Sequence, residues 1–209
     1  MKYVIIGAGG TGGILGFYMT KAGKDVTLIA RNAHLAAMKE QGLTVRHLWD
    51  GTTETVPVKA ENMETYESMI ASAGEAAKPD VILVCVKGYS LDNTVPFIQK
   101  IAKKSTIVIP ILNIYGTGSR LQKKLPELLV TDGCIYVSAN IEGPGALVQH
   151  GKILRVVFGV REKSEFREEL KEIAKDFSDS GISGELSENI RRDALEKFSY
   201  VSTIGTAGL

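Results

Sequence analysis

Five of the seven residues from Gly7 to Gly13 are glycine, in the run Gly7-Ala8-Gly9-Gly10-Thr11-Gly12-Gly13. A short β-branched run, Tyr3 to Ile6, precedes them. The apolar segment Ile14 to Met19 follows and ends in Lys21-Ala22-Gly23. The order predicts a strand, a tight turn and a helix whose C-terminal cap is Gly23. Gly7 to Gly12 fits the spacing G-x-G-x-x-G, in which each glycine has a task. Gly7 permits the turn out of the strand. Gly9 lets the backbone approach a pyrophosphate, and Gly12 lets the helix pack close to the sheet. The helix N-terminus then offers free N–H groups and a positive dipole end to phosphate. A ligand-free turn would gain nothing from so many glycines, each of which costs backbone entropy.

The residue closing the second strand selects the cofactor. Asp25 to Ala30 reads as a buried strand, and Ala30-Arg31-Asn32 follows. NAD enzymes place Asp or Glu about 20 residues beyond the glycines, to bind the ribose 2′-hydroxyl. No carboxylate stands there in this chain; Arg31 does, 19 residues after Gly12. A guanidinium can hold a 2′-phosphate by paired, charge-assisted hydrogen bonds. The expectation is therefore NADP (NADPH) rather than NAD, with Gly7, Ala8, Gly9, Gly10, Thr11, Gly12 and Arg31 as cofactor-binding residues. The competing reading of Arg31 is a surface residue at a helix start.

Beyond this unit, strands alternate with helical segments. Arg31 to Gln41 reads as a helix stopped by Gly42, and Leu43 to Leu48 and Thr53 to Val58 as short strands. Met63 to Ala77 is a weak helix, and Asp80 to Val86 is nearly all apolar, as in a strand covered on both faces. A helix after Ser90, a strand at Ser105–Pro110 and a helix at Thr117–Lys124 follow. Strands with glycine turns occupy Thr131 to Gly159. Ser164 to Phe177 is amphipathic, with Phe166, Leu170, Ile173 and Phe177 at helical spacing and Ser164 as its cap. Ile182 to Leu186 adds an edge strand, and a last helix begins near Asn189. The pattern predicts an α/β, Rossmann-type, doubly wound and mainly parallel sheet.

Composition excludes other classes. Lys and Arg number 25 against 24 Asp and Glu, so charge gives no sign of nucleic acid or an anionic membrane. No apolar run nears the roughly 20 residues needed to span a bilayer. The two cysteines, Cys85 and Cys134, lack CxxC spacing, which suggests a reduced, cytoplasmic protein with no metal site. His34, His47 and His150 lack metal-ligand spacing and read as loop or surface residues.

The chain resembles the ketopantoate reductase (2-dehydropantoate 2-reductase) family. The resemblance is carried by the N-terminal G-x-G-x-x-G, the Arg closing the second strand and Val86-Lys87-Gly88-Tyr89 after the apolar strand. Asn113, the Gly143 to His150 segment and Glu196-Lys197-Phe198 complete it. It implies that Lys87 lies near the cofactor and that Asn113 touches nicotinamide or substrate. It also implies that Lys197 is the catalytic acid, with Asn113 beside it in the chemistry. Read alone, Lys87 is equally a solvated loop lysine, Asn113 a turn residue, and Lys197 half of an i,i+4 pair with Asp193. Ile190, Ala194, Lys197 and Val201 share one helical face, so the lysine interrupts an apolar stripe.

Two departures from the family pattern bear on substrate. Ile114 follows Asn113 where the family commonly has Gly, and Val201 stands where ketopantoate enzymes carry Asn. The implied reaction is hydride transfer from NADPH to the ketone of a 2-oxo acid, with 2-dehydropantoate as first choice. Reduction of another 2-oxo acid, or a non-catalytic NADP-binding module, are the alternatives. Expected partners are the small-molecule substrate and, as an open possibility, a second copy in a homodimer. The resemblance divides the chain into an NADP-binding domain, 1–187, and the first helix of an incomplete helical domain, 188–209. The last helix is still apolar and uncapped at Leu209, so a shortened protein that binds NADPH but turns over poorly is expected.

Overall fold

The computed structural model describes residues 1–207, and from residue 201 onward the backbone alone apart from Thr203. The chain opens with β1 (Lys2–Ile6), α1 (Gly10–Lys21), β2 (Asp25–Ile29) and α2 (Asn32–Gln41). Three strands follow, β3 (Leu43–His47), β4 (Thr53–Val56) and β5 (Lys59–Glu61), and then α3 (Met63–Ala73). The next units are β6 (Val81–Val84), α4 (Val95–Ile101), β7 (Ile107–Pro110), α5 (Thr117–Lys124) and β8 (Leu129–Val130). Four strands come next: β9 (Asp132–Tyr136), β10 (Ala139–Gly143), β11 (Ala146–Gln149) and β12 (Arg155–Gly159). The described chain closes with α6 (Glu169–Asp179), β13 (Ser183–Leu186) and α7 (Ile190–Ala207).

The main sheet has six parallel strands in the order β5-β2-β1-β6-β7-β8. Building runs outward from β1 to one side, then returns and continues from β6 to the other. The switch point therefore lies between β1 and β6, where open α/β sheets bind ligands beyond the strand ends. Alternation of side chains builds a core on each face. Tyr3 and Ile5 of β1 join Leu83, Ile109 and the apolar faces of α1 and α6 on one side. Val4 and Ile6 join Val84, Val108 and residues of α3, α4 and α5 on the other.

Two smaller sheets extend this frame. One orders β10-β11-β3-β4, and the other β13-β12-β9. The edge strand expected at Ile182–Leu186 thus exists, but it pairs in parallel with β12 rather than with the main sheet. Strand β5 departs from the expectation of one strand over Thr53–Val58: after β4 ends, Lys59–Glu61 pairs in parallel with β2. Its three residues, two of them charged, carry too little apolar pattern to announce a strand.

The amphipathic segment also starts later than its spacing suggests. Lys163–Glu165 forms a single 3-10 turn held by a capping box between Glu162 and Glu165, and α6 begins at Glu169. Ser164 therefore does not cap the helix, and Phe166 lies outside it, exposed. His47 is buried beside Phe17, Tyr18 and Trp49 rather than at the surface. Among the described residues no helix is long and apolar enough to cross a membrane, and no His, Cys, Asp and Glu cluster could hold a metal.

Candidate functional site

The C-terminal ends of four strands lie in register: Ile29 beside Ile6, Ile6 beside Val84, and Val84 beside Pro110. Gly7, Ala30-Arg31, Lys87 and Asn113 follow those ends within three residues. The fold thus brings the expected cofactor residues of four separate segments to one edge of the sheet.

Each glycine of the loop meets a different neighbour. Gly7 has φ +99° and donates its N–H to the Ile29 carbonyl at 3.0 Å, which turns the chain sharply out of β1. A Cβ on Gly12 would collide with the Gly7 carbonyl and come within 2.8 Å of Cys85 Cβ, so α1 sits directly on the sheet. A Cβ on Gly10 would collide with the Ala139 carbonyl, and one on Gly13 would lie 2.6 Å from Leu147. These two glycines make room for β10 and β11 over the start of α1, a packing role the sequence did not announce.

Gly9 differs from all of them. A Cβ there would meet nothing within 4 Å. Gly9 is also the N-cap of α1, no side chain caps the helix, and its first turn holds no acidic residue. Among the described residues the amides of Gly9, Gly10 and Thr11 donate to no acceptor. Free N–H groups at a helix start, beside an uncrowded backbone, fit the phosphates of a dinucleotide.

Arg31 is exposed at the N-cap of α2 and, among the described residues, forms no ion pair. Asn32 follows in the left-handed region at φ +55°, a conformation Asn tolerates better than most residues, and this bends the chain from β2 into α2. Glu61, in register with Ile29, is held by Lys39 at 2.5 Å. The cation is thus free at this end while the nearby carboxylate is taken. Lys87 is exposed ahead of a 3-10 turn at Gly88–Ser90 and also lacks an ion pair among the described residues. Asn113 is exposed in the turn after β7. Its neighbour Ile114 reaches across to Gly88, where any Cβ would strike the Ile114 side chain.

Lys197 lies on α7, which packs on β9 and β12 through Ile190, Cys134 and Val157. Its ammonium stands 4.3 Å from the centre of the Tyr136 ring. The path of the chain locates that ring. Gly133 packs near the Pro110 carbonyl at the end of β7, and Ala139 packs on Gly10. Tyr136 therefore lies midway along a stretch running from the end of β7 to the glycine loop. Tyr115 and Phe198, with ring centres 6.4 Å apart, join the Asn113 turn to α7. The i,i+4 pair between Asp193 and Lys197 is not formed; Asp193 is occupied by Ser187 at 2.5 Å and Arg192 at 3.0 Å. Burial lowers the Lys197 pKa from its ordinary value, with Cys134 opposing the shift. The Val201 side chain lies outside the described residues.

Burial pushes the Cys85 thiol up to about 12 and the Cys134 thiol up to about 11, so neither is a thiolate nucleophile near neutral pH.

The family model described as ketopantoate reductase PanE/ApbA matches residues 3–163. The chain belongs to the ketopantoate reductase family. A 2-dehydropantoate 2-reductase of Pyrococcus horikoshii is 29% identical over 198 residues, which are 91% of this chain and 57% of that protein. The crystal structure of 2-dehydropantoate 2-reductase from Porphyromonas gingivalis superposes with a TM-score of 0.85 at 26% identity, covering 99% of this chain and 71% of the other. A D-mandelate dehydrogenase in complex with NADH reaches a TM-score of 0.75 at 25% identity, over 94% of this chain and 59% of the other. The chain thus spans about six-tenths of the length of the ketopantoate reductase relative from Pyrococcus.

Proposed function

We propose that this chain is the nucleotide-binding part of an NADPH-dependent reductase that converts a 2-oxo acid, 2-dehydropantoate in the first instance, to the 2-hydroxy acid. The observation that carries the reading is the edge formed by four strand ends. It combines free helix-start amides at Gly9, Gly10 and Thr11 with the unpaired Arg31 cation. On this reading residues 1–187 are the NADP-binding domain, and 188–209 begin a helical one.

The residues fit the cofactor. The backbone from Gly7 to Gly12 would hold the pyrophosphate and Arg31 the 2′-phosphate, while Lys87 would lie near the cofactor and Asn113 would touch nicotinamide or substrate. When bound, the cofactor supplies the hydride that reduces the ketone carbon. Lys197 supplies the proton. Its ammonium hydrogen-bonds the substrate carbonyl oxygen and gives a proton from Nζ as negative charge develops there. Partial burial weakens its hold on that proton, which favours its transfer to the substrate oxygen. The Tyr136 ring holds the ammonium in place by a cation–π contact.

Titration with each nucleotide tests the cofactor. NADPH binds tighter than NADH, and Arg31→Ala weakens NADPH by about tenfold or more while leaving NADH nearly unchanged. Equal or tighter binding of NADH sinks the NADP assignment. A second reading, reduction of a bulkier 2-oxo acid, is favoured by the apolar surface of Ile114, Tyr115 and Phe198 beside Asn113, all exposed. The D-mandelate dehydrogenase relative, named for an aromatic hydroxy acid, points the same way. Turnover of phenylglyoxylate without turnover of 2-dehydropantoate by the full-length protein selects it. Tight NADPH binding with no consumption against any 2-oxo acid selects a non-catalytic module.

A further inference from the structure

His34 stands on the first turn of α2, three residues after Arg31, and joins two segments distant in sequence. Its Nε2 lies 2.8 Å from the Ala8 carbonyl oxygen in the glycine loop. The Gly145 amide donates to its Nδ1 at 3.0 Å, from the turn between β10 and β11. A backbone N–H can only donate, so Nδ1 is the acceptor. The neutral ring therefore carries its proton on Nε2 and donates it to Ala8. The turn is seated firmly: Gly145 has φ +70°, and a Cβ on it would come within 2.9 Å of Ala37 Cβ, one turn along α2.

The Ala8 carbonyl has room on a second side. A Cβ on Gly13 would lie 2.9 Å from its oxygen, so the missing side chain of Gly13 leaves that oxygen its place. The consequence appears on the next atoms of the chain. The Ala8–Gly9 peptide bond is trans, and in a trans peptide the N–H points opposite to the C=O. Fixing the Ala8 oxygen toward His34 aims the Gly9 N–H the other way. That amide has no acceptor among the described residues, and Gly9 opens on free space. If the plane rotated by half a turn, the Ala8 carbonyl would face the phosphate position and repel it.

We infer that His34 is a positioning residue for the dinucleotide: it locks the Ala8–Gly9 peptide so that the Gly9 amide faces the cofactor pyrophosphate. This rests on the glycine loop being the dinucleotide site. The lock acts on the phosphates shared by NADH and NADPH, so it is separable from Arg31, which acts on the 2′-phosphate alone.

Two substitutions divide the histidine's bonds. His34→Gln places an amide N–H donor near the Nε2 position and removes the acceptor for Gly145. His34→Asn places an acceptor near the Nδ1 position and removes the donor to Ala8. Dissociation constants for NADPH and NADH, with thermal midpoints measured alongside, read the outcome. His34→Gln stays within about twofold of the parent for both nucleotides. His34→Asn weakens both by a common factor of about tenfold, the order of one lost neutral hydrogen bond. In the free protein, His34→Asn also broadens or splits the Gly9 amide resonance, which His34→Gln leaves single. The inference is overturned if His34→Asn binds as the parent does. It is equally overturned if both variants lose affinity in proportion to their loss of thermal stability. A parent chain that binds neither nucleotide overturns the dinucleotide reading itself, and the inference with it.

Discussion

The two edges of the main sheet are built on opposite rules. At the N-terminal edge the charges are paired. Asp80 accepts from the Lys2 amide at 2.7 Å and from Lys103 at 2.6 Å. Asp176 takes the Tyr3 hydroxyl at 2.6 Å and Lys24 at 2.7 Å, and Lys24 also reaches Asp179 at 3.0 Å. Lys59 at the start of β5 meets Asp25 at the start of β2, at 2.7 Å. At the C-terminal edge Arg31 and Lys87 form no ion pair among the described residues, and the first amides of α1 lack acceptors. One edge ties strands and helices together, and the other leaves its donors free. An unsatisfied donor in water costs little, and it becomes useful when an anion arrives. The difference separates residues whose loss lowers stability from residues whose loss lowers binding.

The largest effect is expected where the two roles meet inside the glycine loop. Gly12→Ala forces a methyl into the Gly7 carbonyl and toward Cys85, with backbone on one side and a packed strand on the other. Nucleotide binding is lost, and stability falls by about 1–3 kcal/mol or more from overpacking. Gly9→Ala has open space around its new methyl, so stability stays within about 0.5 kcal/mol. The same methyl stands where the pyrophosphate would approach, so binding falls sharply. Chemical denaturation and nucleotide titration of both variants check the pair. A destabilised Gly9→Ala, or a Gly12→Ala that still binds, breaks the distinction.

Lys197 provides the next test, on the full-length protein. Lys197→Ala lowers turnover by about 10²–10⁴ if this lysine is the general acid, with little change in nucleotide binding. The pH dependence has a fixed sign. Only the protonated lysine donates, and burial lowers its pKa, so turnover declines as pH rises through a value below that of an ordinary lysine. Tyr136→Leu removes the ring beneath the ammonium and lowers turnover by a smaller factor. Turnover unchanged in Lys197→Ala removes this residue from the chemistry.

The glycine spacing, the buried strand runs and the Arg closing β2 were legible because each leaves a local signature in consecutive residues. So was the helix at Thr117–Lys124, whose observed bounds coincide with the expected ones. What could not be read was long-range. His34 looks like any helix-surface histidine until the turn at Gly145, 111 residues away, supplies a donor to its ring. Gly10 reads as a phosphate-loop residue and Gly13 as the end of the same glycine run, yet their nearest neighbours are Ala139 and Leu147. The sorting of strands between Thr131 and Gly159 into separate sheets likewise depends on partners such as β3 and β13. Lys197 was ambiguous for a different reason: an Asp four residues earlier suggests a pair, and only packing against Ser187 and Arg192 draws Asp193 away.

The remaining effect lies at the paired edge, on stability alone, and sharpens the contrast most. Asp176 holds the hydroxyl of Tyr3, a residue 1% exposed, so Asp176→Ala strands a buried donor whose remaining neighbour is Met1 sulfur at 3.6 Å. The expected loss is about 1–3 kcal/mol of stability, with nucleotide affinity unchanged. Burial works upward on the Asp176 carboxyl, but hydrogen bonds from Lys24 and Tyr3 outweigh it and hold the pKa below the ordinary value. The folded pKa is therefore the lower one. The stabilisation is complete above the unfolded carboxylate value of about 3.9 and is lost as pH falls through the folded value. Asp176→Asn keeps an acceptor for Tyr3 and removes only the charge. Its deficit in urea midpoint relative to the parent should stay constant from neutral pH down to about pH 5, then shrink toward acid. A deficit that grows on acidification, or a change in nucleotide affinity at neutral pH, would contradict the division between a paired edge that stabilises and an open edge that binds.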